Sequence, residues 1–84
     1  MSERRPVPRL VIYTREGCSL CEEMIAAARA QTDGRGLPIE ILDVDHDEQA
    51  RARYGLKVPV LLVDGEPVCS GRLDADLLAD LLLR

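Results

Sequence analysis

The segment Leu10–Cys21, with the sequence LVIYTREGCSLC, decides how this chain folds. A short run rich in β-branched residues ends at a small polar turn, and two cysteines three positions apart open a segment with helical spacing of its apolar residues. A helix N-terminus carries unpaired N–H groups and a partial positive charge, which favour a thiolate over a thiol. Two cysteines at this spacing can also close a small, reducible disulfide. The segment therefore indicates redox chemistry, with an incidental buried pair as the alternative.

The composition is that of one small domain with an aliphatic core. The chain has 84 residues, 46% of them hydrophobic, with two tyrosines and neither phenylalanine nor tryptophan. Its net charge of −4 argues against a nucleic-acid or anionic-membrane surface. Because three cysteines cannot form a complete disulfide framework, and no signal peptide or membrane span is predicted, we expect a cytoplasmic protein. We also expect it to be a monomer.

Hydrophobic spacing and turn residues predict an α/β chain with the element order β-α-β-α-β-β-α. Residues 1–8 are predicted to form a flexible tail, because Pro6 and Pro8 disfavour helix, and residues 9–84 to form the domain. Strands are predicted at 9–13, 39–44, 58–63 and 66–70, and helices at 19–29, from 45 or 47 to 55, and from 74 onward, with a loop at 32–36.

Local signals set the connections between these elements. The first strand, helix and second strand form a βαβ unit, which predicts parallel strands and a right-handed crossover. Asp64-Gly65 predicts a two-residue hairpin between antiparallel strands. Asp45 or Asp47 is expected to cap the second helix, which ends at Gly55, and Asp74 to cap the last one.

The two close cysteines are assigned different roles from their positions. Cys18 lies at the strand-to-helix turn, where it is predicted to be the nucleophile, and Cys21 lies one turn into the helix as the resolving thiol. The neighbouring charges of Glu16, Glu22 and Glu23 disfavour a thiolate. We therefore predict a moderately lowered pKa for Cys18.

Val58-Pro59 is the second feature of interest, because a cis bond there would point the Val58 backbone at the cysteine pair. Most X–Pro bonds are trans, and the residues alone leave both isomers open.

Together these residues resemble the glutaredoxin branch of the thioredoxin-fold superfamily, and above all the small glutaredoxin-like proteins of bacteria whose domain was once catalogued as one of unknown function. The matching segments are 13–24, 43–45, 54–61 and 70–74. The resemblance implies a thioredoxin-like fold, with a four-stranded mixed sheet flanked by three helices and Pro59 cis beside the cysteines. It also implies dithiol–disulfide exchange at Cys18 and Cys21.

The resemblance further implies a groove for glutathione, with no tightly bound cofactor. Leu20 stands where most glutaredoxins have tyrosine, and Lys57 where threonine is common. Glutathione as a co-substrate or a thioredoxin-type reductase is the expected electron source, and a disulfide-containing protein is the expected substrate. Arg15, Lys57 and Arg72 are expected to meet the two glutathione carboxylates. The full set of expected binding residues is Arg15, Leu20, Lys57, Val58, Pro59, Ser70, Gly71, Arg72 and Asp74.

Metal binding is the alternative from another class of function. Cys18, Cys21, Cys69 and His46 would supply a Cys₃His set for zinc, although a single C-x-x-C is a weak signal. An iron–sulfur site at Cys18, shared by two subunits as in related glutaredoxins, is the stronger metal hypothesis. A redox-inert binding module on the same fold also stays open. Cys69 by itself is predicted to be a small buried residue and His46 a surface or capping residue.

Overall fold

The computed structural model describes residues 7–83. The predicted tail therefore lies outside the described residues, apart from residues 7 and 8, which precede the first strand. Two 3₁₀ turns, Asp33–Arg35 and Val44–His46, interrupt the connections. In chain order the helices and strands are β1 (Leu10–Thr14), α1 (Ser19–Thr32), β2 (Ile39–Asp43), α2 (Glu48–Tyr54), β3 (Val60–Val63), β4 (Glu66–Ser70) and α3 (Ala75–Leu83).

The strands form one mixed sheet in the order β2-β1-β3-β4. β1 is parallel to β2 and antiparallel to β3, and β3 is antiparallel to β4. The hairpin between β3 and β4 turns at Asp64 and Gly65, whose φ angles of 53° and 85° are the positive values that a tight two-residue turn requires. The predicted α/β thioredoxin-like architecture is confirmed. No helix within residues 7–83 is long and apolar enough to cross a membrane.

The main core lies between the sheet and the two longer helices. Side chains alternate along β1, so Leu10 and Ile12 face this core, where they join Met24 of α1 and Leu78 of α3. A smaller cluster on the opposite face contains Val11 and is covered in part by α2. Tyr13 of β1 and Tyr54 of α2 stack there with ring centroids 5.4 Å apart. The sheet is therefore packed on both faces, with α2 as the thinner cover.

The first helix is longer than predicted. It continues through Thr32, whereas loop chemistry predicted an end near residue 29. Thr32 is fully buried, and the Gln31 side chain donates a hydrogen bond to the Ala75 carbonyl at the start of α3 (2.9 Å). Contact with α3 therefore extends α1 beyond what its own propensities favour.

Four strand boundaries also differ from the prediction. β1 spans Leu10–Thr14 and is thus shifted by one residue at both ends, and the end of β2 depends on a side chain. β2 ends at Asp43 because the Asp43 carboxylate accepts a hydrogen bond from the Asp45 N–H (2.8 Å) and opens the turn Val44–His46. Asp47, not Asp45, caps α2, with its carboxylate accepting from two backbone N–H groups. β3 begins at Val60, two residues after the predicted start.

Candidate active site

The cysteine pair lies where β1 turns into α1. Gly17 has φ +75°, a conformation that favours glycine, and it brings the chain into Cys18, the N-cap residue of α1. The Cys18 and Cys21 sulfurs lie at disulfide-bonding distance, with the Cα atoms 5.2 Å apart. The Cys21 backbone N–H donates to Cys18 Sγ (3.0 Å). An N–H group at a helix N-terminus is thus aimed at the sulfur that would carry the negative charge.

Solvent exposure differs between the two cysteines. Cys18 is partly exposed, whereas Cys21 is only 2% exposed. Of the pair, Cys18 is therefore the residue with more contact with solvent. The charges of Glu16, Glu22 and Glu23, which are all exposed, surround the same helix end.

A second loop and the end of β4 are tied together next to this turn. The Val58–Pro59 peptide bond is cis, the isomer that the family resemblance implies. The Gly71 N–H donates to the Pro59 carbonyl (2.8 Å), and the Arg72 N–H donates to the Ser70 carbonyl (2.9 Å). Two of the predicted binding segments, 57–59 and 70–74, are therefore joined by a direct backbone hydrogen bond.

A cavity of about 190 Å³ joins the cysteine helix to the turn after β4. It brings Leu20, one of the two residues between the cysteines, together with Gly71 and Arg72, three members of the predicted binding set. Leu20 is 41% exposed. The cavity is lined by Leu20, Glu23, Met24, Ala27, Gly71, Arg72 and Leu73.

Arg15 has partners within the chain. Its Nε and one terminal nitrogen donate to the two carboxylate oxygens of Asp45 (both 2.9 Å), and its other terminal nitrogen donates to the Gly55 carbonyl (2.8 Å). The hydrogen bond between them raises the pKa of Arg15 and holds the pKa of the Asp45 carboxyl below its usual value. Such a bidentate pair occupies the fork of the guanidinium. We therefore do not keep Arg15 as a ligand for a glutathione carboxylate.

The fold and the cysteine geometry agree with those of the proteins that the chain resembles in sequence and structure. A sequence model of the glutaredoxin-like domain (DUF836) matches residues 9–83. The chain belongs to this family. Protein Ne2328 from Nitrosomonas europaea, solved by solution NMR, is 34% identical, with a TM-score of 0.82 over 98% of this chain and 99% of that chain.

Further relatives place this glutaredoxin-like chain among thioredoxin-fold proteins. Protein XcR50 from X. campestris is 32% identical, with a TM-score of 0.65 over 87% of this chain and 93% of that chain. A mutant thioredoxin from Halobacterium salinarum is 27% identical, with a TM-score of 0.61 over 90% of this chain and 72% of that chain. No curated protein matches the chain.

Three more residues of the predicted binding set, Lys57, Val58 and Asp74, differ in the partners they have within the chain. Lys57 is exposed, and its side chain forms no ion pair within residues 7–83. The N–H and C=O groups of Val58 form no hydrogen bond with other described residues. The Asp74 carboxylate accepts from the Leu77 N–H (3.0 Å), so this side chain caps α3.

The other candidate metal ligands lie apart from the redox turn. Cys69 is buried and free, and its sulfur accepts from the Asp74 N–H (3.4 Å). His46 is largely exposed, with Nε2 3.7 Å from the Asp43 carboxylate. Within residues 7–83, no three side chains of His, Cys, Asp or Glu are grouped so that they could hold a metal ion. The predicted placements of Cys69 and His46 are confirmed, and the Cys₃His set does not form.

Sequence reasoning missed three contributions to the site. Glu23 lines the cavity beside Leu20, which the helical spacing of positions 20, 23, 24 and 27 could have indicated. Leu56 is fully exposed next to the loop that carries Val58. Gly55 was expected only to end α2, but its carbonyl also receives the Arg15 guanidinium. Only the first had a signal in the sequence, whereas the contact at Gly55 depends on a partner 40 positions away.

Proposed function

We propose that this chain is a thiol–disulfide oxidoreductase, which reduces disulfides or mixed disulfides through Cys18 and Cys21. The observation that carries the proposal is the cysteine pair itself, with its sulfurs at disulfide-bonding distance at the start of α1. Cys18 is partly exposed and Cys21 is buried. Membership of the glutaredoxin-like family supports the same interpretation.

The exchange proceeds in two steps. The Cys18 thiolate attacks one sulfur of the substrate disulfide, so that a mixed disulfide forms and the other substrate sulfur leaves as a thiolate, which takes up a proton. Cys21, once it has lost its thiol proton, attacks Cys18 Sγ and closes the Cys18–Cys21 disulfide. The second substrate sulfur then leaves as a thiol. The dithiol is oxidised, and the substrate disulfide receives two electrons and two protons.

The Val58 loop positions the substrate in this proposal. Because the Val58 N–H and C=O have no partner among the described residues, an extended substrate segment can pair with them as an added strand would. The Pro59 carbonyl is already bound by Gly71, so the loop is braced while Val58 stays available. Glutathione or a thioredoxin-type reductase then returns two electrons to the Cys18–Cys21 disulfide.

The test is a single-turnover reaction between the fully reduced protein and a peptide with one internal disulfide. Cys18→Ser is expected to abolish the reaction. Cys21→Ser is expected to accumulate a mixed disulfide on Cys18, visible by intact-protein mass spectrometry. Cys69→Ser is the matched control, since it removes a thiol outside the pair and is expected to react at the wild-type rate. Undiminished reduction by Cys18→Ser would refute the proposal.

A further inference from the structure

Fewer cationic side chains are free to bind a ligand near the cysteine turn than the sequence predicts. Three side chains were expected to meet the carboxylates of glutathione, but Arg15 is bound by both oxygens of Asp45 and by the Gly55 carbonyl. A guanidinium in such a bidentate pair has no free fork for a second carboxylate. Lys57 and Arg72 are the expected cations that keep no ion-pair partner within residues 7–83.

Arg72 shares its cavity with an acidic residue. It lines the cavity beside Leu20 together with the acidic residue Glu23, and both residues are exposed. A ligand carboxylate that enters this cavity gains the attraction of Arg72 but also meets the repulsion of Glu23. The two effects oppose each other, which leaves Lys57 as the one expected cation that neither forms an ion pair within residues 7–83 nor shares this cavity with Glu23.

Two leucines on the segments that carry the expected binding residues are exposed to solvent instead. Leu20, between the cysteines, is 41% exposed, and Leu56, two residues before Val58, is fully exposed. A polypeptide can cover such side chains while its backbone pairs with Val58, whereas glutathione brings two carboxylates and little apolar surface. Exposed leucines are often incidental when they are scattered, but Leu20 lies between the two cysteines and lines the same cavity as Arg72.

We infer that the site exchanges with polypeptide disulfides in preference to glutathione disulfides, and that Glu23 in the cavity beside Leu20 contributes to this selection. The inference rests on the proposed oxidoreductase function and names its substrate class. The exchange is the same in both cases: the Cys18–Cys21 dithiol is oxidised, and either a peptide disulfide becomes two peptide thiols or oxidised glutathione becomes two glutathione molecules. Since exchange is reversible, glutathione is then also a poor electron donor, and a disulfide reductase is the better one.

The experiment compares two substrates and two matched variants in single turnover. Fully reduced protein is mixed with excess oxidised glutathione, or with a disulfide-bonded peptide whose flanking residues are uncharged, and no other reductant is present. The wild-type rate constant is expected to be at least about tenfold higher for the peptide. In Glu23→Gln the ratio of the peptide to the glutathione rate constant is expected to fall about three- to fivefold, the upper part of the range for one exposed charge interaction.

Glu22→Gln is the control, because it removes the same charge from the same helix turn but does not line the cavity. Its effect on the Cys18 thiolate changes both rates together, so the ratio is expected to stay within about twofold of wild type. A wild-type preference for oxidised glutathione, or equal ratios in the two variants, would overturn the inference and leave the proposed function standing. Failure of the reduced protein to react with either substrate would overturn the proposed function as well.

Discussion

Replacement of Gly55 by alanine is predicted to lower the stability of the chain and to displace the loop that leads to Val58. Gly55 has ordinary right-handed helical angles, so alanine meets no backbone penalty there. The obstacle is space, because a Cβ atom at this position would lie 2.5 Å from the Arg51 carbonyl oxygen and 3.4 Å from an Arg15 nitrogen. The Gly55 carbonyl also receives the Arg15 side chain. Any shift here therefore reaches the loop that leads to Val58.

The size of the effect follows from the overlap. The Cβ atom must move by about half an ångström to reach the closest approach seen in proteins, and such overpacking costs about 1–3 kcal/mol. The loss of glycine flexibility in the unfolded chain offsets about 0.4–1 kcal/mol of this. A net loss of about 1.5 kcal/mol lowers Tm by about 6–12 °C in a domain of this size. Because an ångström of misplacement can cost about a hundredfold in rate, a tenfold slower reaction with the peptide disulfide is expected.

Urea unfolding and the single-turnover assay measure the two effects on the same samples. Gly34→Ala is the matched control, since no atom lies within 4 Å of the place where its methyl group would be, and Gly34 needs no positive φ. This control is expected to gain up to about 1 kcal/mol and to react at the wild-type rate. If Gly55→Ala unfolds at the same urea concentration as Gly34→Ala, the argument from the close approach to Arg51 is wrong.

Three further predictions concern single side chains. Asp74→Ala is expected to lose about 1 kcal/mol of stability in urea unfolding, because the Leu77 N–H loses its cap, whereas Asp74→Asn keeps the cap and most of the stability. Because the pKa of Asp45 is lowered in the folded chain, its stabilising contribution is present above the unfolded value of about 3.9 and is lost as the pH falls through the lower folded value. Below about pH 4, wild type should therefore lose stability more steeply than Asp45→Asn, and parallel acid-unfolding curves would contradict this. Alkylation of reduced Cys18 by iodoacetamide should rise at a lower pH than alkylation of a free cysteine, and a rise at or above that pH would show that the acidic neighbours outweigh the helix end.

Elements with local causes could be predicted from the sequence. The hairpin at Asp64 and Gly65 follows from two residues that tolerate positive φ, and the cap at Asp74 follows from a side chain that bonds within its own turn. The redox turn was found in the same way, since the strand, Gly17 and the cysteine spacing are all contiguous. In each case the information lies within a few residues of the feature that it determines.

Features that depend on distant partners could not be predicted in this way. Arg15 was expected from the family resemblance to meet a glutathione carboxylate, but its partners are 30 and 40 positions away in this chain. Asp45 and Asp47 were equal candidates for the cap of α2, and only the folded chain separates them, since Asp45 is taken by Arg15. The added turn of α1 likewise depends on its contact with α3.

The stacked pair of Tyr13 and Tyr54 provides an intrinsic spectroscopic probe of the contact between α2 and the sheet. Tyr13 and Tyr54 are the only phenylalanine, tyrosine or tryptophan residues of the sequence, so the tyrosine emission of the chain originates from this one contact. Tyr13 precedes the redox turn by a few residues, and Tyr54 immediately precedes Gly55. Detachment of α2 from the sheet would therefore change the spectrum without any label. Movement of the second helix can be followed in real time while the cysteines react at the other end of the same loops.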